Sequence, residues 1–239
     1  MTVATAVREL DAELRRNGSR RRAVGAKAYL KSPLTFYGVT SQDLVAIVRA
    51  FDHRHGPVER EQWIRIARAL WRRPVHELRA AAIVLAERHR AELTAGDMRL
   101  LESWLRASGT WAYVDWICTR LVAPLVERDP ALLATIERWA EDDDFWIRRS
   151  ALLSLLPAMR RGAGEFALFE RLAESMLDER EFFIRKAIGW VLRDVSHRRP
   201  ALVAAFVRRH AVRLSGVTWR EARKYLAPRD RAAVERSRG

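Results

Sequence analysis

The sequence predicts an all-α protein, an α-solenoid built from successive helix pairs. Apolar residues recur at three- and four-residue spacing along almost the whole chain, with no sustained alternation. Four apolar anchors, Leu78, Val114, Ile147 and Ile184, follow one another at intervals of 36, 33 and 37 residues. One helix pair per roughly 35 residues is typical of an α-solenoid, in which each pair covers the apolar face of the next. An irregular helical domain with coincidental spacing is the alternative.

The apolar stripes predict the helices in order along the chain. They cover residues 3–16, 20–31, 41–54, 58–72, 75–91, 96–106, 111–126, 130–140, 143–156, 166–177, 181–196, 200–210 and 215–226. Prolines stand at or near several of the starts, where a missing N–H costs nothing: Pro57, Pro74, Pro130 and Pro200. We expect one domain over residues 1–239, a solenoid whose helices line a concave, basic groove.

Single residues mark where some helices begin and end. Ser41 and Asp144 are candidate N-caps, because their side-chain oxygens can accept from the backbone N–H groups of a first helical turn. Gly96 and Gly109 are predicted to lie in turns. The segment 227–239 lacks an apolar stripe, and we expect it to fray.

The charge of the chain indicates a polyanionic partner. Lys and Arg number 44 against 30 Asp and Glu, a net charge of +14, and only four of the 44 are lysine. Nucleic acid is the usual partner of such a surface, because a cation placed on a phosphate releases a condensed counterion. A GC-rich genome would explain arginine in preference to lysine, but it would not explain the excess of positive charge.

Composition also excludes several classes of protein. An apolar content of 49% is too high for a disordered chain. The single cysteine, Cys118, excludes a disulfide framework, a cysteine-based zinc site and a cysteine-ligated cluster, and no metal or other cofactor is expected. The first twenty residues have no apolar core typical of a signal peptide, and no apolar run could span a bilayer. We therefore expect a soluble, cytoplasmic protein without a membrane partner.

Two helices carry aromatic side chains that lie away from the buried stripe. Trp111 and Trp116 are about 140° apart around a helix, so both cannot face the core, and Trp111 shares its face with Asp115 one turn on. On the helix at 181–196, Trp190 likewise falls off the apolar stripe. Between these helices, one arginine of the Arg148-Arg149 pair is expected to point away from the core. A partly exposed packing tryptophan beside a solvated aspartate is the alternative for the first pair.

Three segments of the sequence resemble a known family. GTWAYVDWI (109–117), FWIRRSALL (145–153) and EFFIRKAIGWVLR (181–193) are similar to signature segments of the AlkD-type bacterial DNA alkylation repair glycosylases. AKAYLKSPLTFYGVTSQDL (26–44) and LWRRPVHELRAAA (70–82) are similar to the N-terminal half of that family. The resemblance covers residues 20 to 226 and implies a fold of HEAT-like repeats.

The resemblance also implies roles for individual residues. Asp115, Trp111 and Trp190 match the family's catalytic residues, Arg149 its phosphate-binding arginine, and Tyr29 an aromatic residue that lines the same cleft. Because Arg148 and Arg149 are adjacent, the phosphate role could be shared or exchanged between them. Lys186 and Arg193, on the helix of Trp190, are further expected DNA contacts.

The implied reaction is hydrolysis of the N-glycosidic bond of N3- or N7-alkylated purines in duplex DNA, without flipping of the base. A cationic purine leaves without being protonated, so a single carboxylate can suffice to stabilise the positive charge that develops on the deoxyribose. We expect a monomeric bacterial protein that acts at the nucleoid. A non-catalytic DNA-binding solenoid is the main alternative, and a protein–protein scaffold is a weaker one.

Overall fold

The computed structural model describes residues 1–238 and is helical, with no strand in that range. An isolated parallel bridge joins Thr35 and Val75. No helix in the described range is long and apolar enough to cross a membrane. The all-α prediction is confirmed. The chain divides into two compact units, Met1–Ile117 and Cys118–Gly239, and the prediction of one domain over residues 1–239 stays a prediction.

The first unit contains seven α-helices and two short 3₁₀ turns. The α-helices are α1 (Val3–Arg16), α2 (Arg20–Leu30), α3 (Ser41–Arg54), α4 (Arg60–Trp71), α5 (His76–Arg88), α6 (Met98–Arg106) and α7 (Trp111–Ile117). Helix α5 is central, because α1, α3, α4 and α7 all pack against it. All but four of its thirteen residues are buried. Helix α2 is the opposite case, since none of its residues is buried.

The second unit begins with a π-helical turn, Cys118–Val122, and contains eight α-helices. These are α8 (Ala123–Arg128), α9 (Leu133–Ala140), α10 (Phe145–Arg160), α11 (Phe166–Ser175), α12 (Phe182–Val195), α13 (Pro200–Arg209), α14 (Gly216–Ala222) and α15 (Pro228–Arg236). Helix α10 packs against α8, α9, α11 and α12, and α12 packs in turn against α14. The unit is therefore a succession of helices in which each layer covers the next.

Contacts between residues about 35 positions apart confirm the helical repeat. All four anchors that predicted it are buried. Ion pairs join residues 34 to 37 positions apart in both units: Arg88–Asp52, Arg60–Asp97, Arg160–Asp194, Arg161–Glu127, Arg171–Glu137, Arg213–Asp178 and Lys186–Glu221. Equivalent positions of successive repeats thus lie side by side, as stacking requires.

Several predicted boundaries are wrong, each for a local reason. The helix predicted at 111–126 contains the π-helical turn, because Pro124 has no N–H to donate to the carbonyl four residues earlier. Helix α10 runs past Pro157 to Arg160, since Met159 is buried in its last turn. Thr40, not Ser41, caps α3, accepting from the N–H of Asp43 at 3.1 Å.

The expectation of a frayed segment at 227–239 is wrong for the part that the structure describes. Residues 228–236 form α15, which starts with Pro228 at a position where a missing N–H costs nothing. Val234 is fully buried and attaches the helix to the core, and Arg223 pairs with Glu235. One buried apolar residue was too weak a signal to predict the helix. Residue 239 lies outside the described residues.

Candidate active site and nucleic-acid contacts

Three of the residues singled out by sequence lie close together in the first unit. Trp111 is the first residue of α7 and Asp115 stands one turn further along, both of them half-buried. The ring of Tyr29, near the end of α2, meets the indole of Trp111 edge-on, with ring centroids 5.9 Å apart. Tyr29 itself is 73% exposed. An aromatic pair and a carboxylate are therefore presented together at the surface of this unit.

The apolar face of α7 holds these residues in place. Val114 and Ile117 are fully buried, and the indole N–H of Trp116 donates to Glu87 on α5 at 2.8 Å. Trp116 thus anchors α7 to α5, whereas Trp111 lies away from the buried face of α7 that contains Val114 and Ile117. The helical angle between the two tryptophans predicted this difference.

A stack of buried aromatic rings lies beneath the start of α7. The imidazole of His76 lies between Phe36 and Tyr113, with centroid distances of 4.4 and 5.1 Å, and Tyr113 also contacts Trp71. The hydroxyl of Tyr113 is 2.6 Å from Nδ1 of His76. Burial lowers the pKa of His76 and raises that of Tyr113, so both side chains are uncharged near neutral pH. The sequence alone does not reveal this support for α7, because the residues of the stack lie on four separate segments.

A buried carboxylate holds the chain next to that stack. Glu77 is 1% exposed and accepts from the backbone N–H groups of Tyr37, Gly38 and Val39. Gly38 is required there, since its φ is +80° and a Cβ would lie 2.2 Å from the carbonyl oxygen of Ser19. The segment that follows α2 is therefore fixed against α5 by hydrogen bonds to Glu77 as well as by the burial of Leu34 and Phe36.

In the second unit, the expectation that one arginine of the Arg148-Arg149 pair points into solvent is wrong, because both side chains are engaged within the protein. Arg148 forms two hydrogen bonds with the carboxylate of Glu179, at 2.9 and 2.8 Å, and its Nη1 donates to the carbonyl of Asp142 at 2.6 Å. Arg149 is 2% exposed, and its Nη1 donates to the carbonyl of Phe183 at 2.5 Å. Arg148 pairs with Glu179, 31 positions further on, in a contact between neighbouring repeats. Helical periodicity does not predict this contact.

Helix α12 carries the other three predicted residues, Trp190, Lys186 and Arg193. The indole N–H of the half-buried Trp190 donates to Asp194 at 3.1 Å. Lys186 lies 2.5 Å from Glu221 on α14, and Arg193 pairs with the same carboxylate. Burial raises the pKa of Glu221, but the hydrogen bond from Lys186 and the charge of Arg193 outweigh burial and hold it below its usual value. Lys186 and Arg193, two expected DNA contacts, thus share the carboxylate of Glu221. The spacing of 35 positions between Lys186 and Glu221 could have identified this partner from the sequence.

The contact between α12 and α14 depends on a glycine. A Cβ built on Gly189 would lie 2.9 Å from Cβ of Glu221 and 3.1 Å from Cα of Thr218. The absence of a side chain therefore permits the close approach of the two helices and sets the position of Glu221. No group of three or more metal-ligating side chains occurs among the residues that the structure describes.

The chain is similar to known proteins in sequence pattern and in fold. The family model described as DNA alkylation repair enzyme matches residues 10–226. A solved structure described as a predicted DNA alkylation repair enzyme from Enterococcus faecalis matches with a TM-score of 0.80 at 24% identity, over 89% of this chain and 98% of that one. The structure of smu.31 from Streptococcus mutans matches with a TM-score of 0.58 at 15% identity, over 78% and 98%. Both structural matches concern the fold, and no curated protein matches.

Proposed function

The chain belongs to the DNA alkylation repair enzyme family, and on that premise we propose that it is a monofunctional DNA glycosylase. Its substrates would be cationic N3- and N7-alkylpurines in duplex DNA, and its reaction the hydrolysis of their N-glycosidic bond without base flipping. The observation that carries the proposal is the grouping of Asp115, Trp111 and Tyr29 at the start of α7.

The proposed chemistry follows from the charge of the substrate. An alkylated purine is already cationic and departs as a neutral base, so no acid has to protonate the leaving group. Positive charge then develops on the deoxyribose, where the carboxylate of Asp115 would stabilise it and orient the attacking water. The π-face of Trp111 would favour the same developing cation, and the resemblance implies a catalytic role for Trp190 as well.

The roles of the basic residues in this proposal are unequal. All three nitrogens of the Arg148 guanidinium donate within the protein, to Glu179 and to the carbonyls of Asp142 and Asp143. The resemblance gives the phosphate contact to Arg149, and we keep that role in the proposal. Its guanidinium is buried and donates to the carbonyl of Phe183, so it would have to become accessible when DNA binds. Lys186 and Arg193 pair with Glu221, and Arg193 and Arg160 pair with Asp194, so three cations against two carboxylates keep a net positive charge that a phosphate can approach.

The same ion pair supports hydrolysis over a lyase reaction. A lyase needs a lysine amine that can form a Schiff base. Lys27 is on α2 with Tyr29, and Lys186 is on α12 with Trp190. The side-chain nitrogen of Lys186 lies 2.5 Å from Glu221, so it is engaged in an ion pair within the protein. The proposed protein acts as a monomer on duplex DNA in the bacterial cytoplasm and needs no cofactor.

The test is a glycosylase assay on duplex DNA that carries a single N7-methylguanine, scored by cleavage of the resulting abasic site. The wild-type protein is expected to excise the base, and Asp115→Asn is expected to bind the duplex but lose most of the excision. Asp178→Asn, which removes a carboxylate from an exposed ion pair, is the matched control and should retain activity. Equal excision by Asp115→Asn and wild type would contradict the site, and salt-dependent binding without excision would favour a non-catalytic DNA-binding protein.

A further inference from the structure

A basic cleft lies between α4 and α6 in the first unit, apart from the residues assigned to catalysis. Its volume is about 430 Å³, and it is faced by Arg68 of α4, by Arg72 immediately after that helix and by Arg99 of α6. Its remaining lining is apolar or neutral, and no carboxylate lines it. Three cations therefore converge on one cleft with no opposite charge in its walls.

These arginines differ from those that pair with carboxylates of a neighbouring repeat. The repeat contacts pair arginines with carboxylates along both units, as Arg88 pairs with Asp52 and Arg161 with Glu127. Arg68, Arg72 and Arg99 are exposed and form no ion pair within the described range of the chain. The cleft is thus a place where positive charge is left uncompensated by the fold.

The helix dipole of α6 and the spacing of the three arginines favour an anion in the cleft. Arg68 and Arg72 stand at the C-terminal end of α4, where the helix dipole favours cations, although their i, i+4 spacing makes them repel each other. Arg99 is in the first turn of α6, where the dipole disfavours a cation. An anionic ligand in the cleft would compensate the charge of all three guanidinium groups.

The floor of the cleft indicates which part of a nucleic acid could occupy it. Trp71 and Trp104 are stacked 5.0 Å apart, and both are buried, at 6% and 2% exposure. Neither indole therefore offers an open face on which a base could stack. Guanidinium groups instead match the oxygens of phosphates, which they contact by paired hydrogen bonds.

We propose that the cleft between α4 and α6 binds the phosphodiester backbone of DNA, as a contact separate from the catalytic residues. The proposal rests on the proposed function for the identity of its ligand. It adds a sequence-independent anchor on the first unit, formed by the guanidinium groups of Arg68, Arg72 and Arg99. Such an anchor would raise the affinity for any duplex, damaged or not.

The test compares two triple variants in binding to an undamaged fluorescent duplex. One variant combines Arg68→Gln, Arg72→Gln and Arg99→Gln. The matched control combines Arg208→Gln, Arg229→Gln and Arg236→Gln, which removes the same charge from exposed arginines of the second unit that line no described cleft. Thermal unfolding of both variants checks that the fold is retained.

The cleft variant is expected to bind at least about tenfold more weakly at about 200 mM salt, and its log–log salt slope should fall by about 2 to 3. The control should keep nearly the wild-type slope. An equal loss in both variants, or no loss in the cleft variant, would overturn the proposal. Because the duplex is undamaged and only binding is measured, this outcome is independent of whether the wild type excises N7-methylguanine.

Discussion

Arg148 and Glu179 form a bidentate ion pair, with Nε–Oε1 at 2.9 Å and Nη2–Oε2 at 2.8 Å. Arg148 belongs to α10 and Glu179 to the turn between α11 and α12, so the pair joins two successive repeats. The hydrogen bonds that Arg148 donates to Glu179 raise the pKa of its guanidinium further above its already high value. Both side chains are about four-fifths buried, which makes this pair more than an ordinary surface contact.

Arg148→Ala is therefore expected to destabilise the protein without weakening its binding to DNA. Loss of the paired hydrogen bonds should lower the free energy of unfolding by about 1–3 kcal/mol. Urea unfolding measures the loss, and binding to duplex DNA is measured at a temperature where the variant is folded. Glu179→Gln should lower the free energy of unfolding by a similar amount. The double variant Arg148→Ala with Glu179→Gln should lower it by less than the sum of the two single effects, because both substitutions remove the same interaction. Weaker DNA binding with unchanged stability would instead assign Arg148 to the DNA contact.

Gly189→Ala is expected to destabilise the protein, although alanine favours a helix by about 1 kcal/mol over glycine. The new Cβ would meet Cβ of Glu221 at 2.9 Å and Cα of Thr218 at 3.1 Å. Because Cα of Thr218 is backbone, α12 and α14 must separate, at a net cost of about 1–3 kcal/mol. Urea unfolding measures the change.

Gly25→Ala is the matched control for that prediction. Gly25 also lies inside a helix, α2, and a Cβ built on it meets nothing within 4 Å. This substitution should raise the free energy of unfolding by up to about 1 kcal/mol. A stabilising effect at both glycines would contradict the close approach of α12 and α14.

The sequence predicted the elements better than it predicted the partners of charged groups. Helical periodicity locates the buried faces, which is why α1 and α3 have the predicted bounds and why Trp111 falls outside the buried stripe. Periodicity on one helix does not show which carboxylate of the next repeat an arginine meets. Arg149 and Arg148 were therefore expected to leave one guanidinium in solvent, whereas Arg149 is buried and Arg148 is paired with Glu179.

Tyr29→Ala is expected to reduce excision while leaving stability unchanged. Tyr29 is 73% exposed, so its ring contributes little to the core, but its contact with the indole of Trp111 at 5.9 Å supports that residue from one side. We expect a single-turnover excision rate lower by about tenfold, because small displacements of positioning groups are costly to catalysis. Tyr29→Phe keeps the ring and should retain most of the rate. If Tyr29→Phe lost as much activity as Tyr29→Ala, the hydroxyl and not the ring would be the functional group.

Stability is expected to fall when the pH is lowered below about 6.5, the usual pKa of histidine. Burial lowers the pKa of His76 and outweighs the opposing charge of Glu77, and burial likewise lowers the pKa of His210. Between the depressed and the ordinary value, the unfolded chain binds protons that the folded chain does not, so acid favours unfolding. The stabilisation that His76 and His210 provide as neutral side chains is complete above about pH 6.5. It is lost as the pH falls toward the pKa values of these histidines in the folded protein.

The measurement is urea unfolding between about pH 7.5 and about pH 5, a window in which carboxylates remain ionised. Carboxylates with lowered pKa values, such as Glu221, contribute their own loss only at more acidic pH. His76→Gln should be less stable at neutral pH, because it breaks the stack with Phe36 and Tyr113, but its stability should vary less with pH. The double variant His76→Gln with His210→Gln should lose most of the remaining dependence of the free energy of unfolding on pH. A double variant as pH-dependent as the wild type would show that the two buried imidazoles are not the groups that titrate.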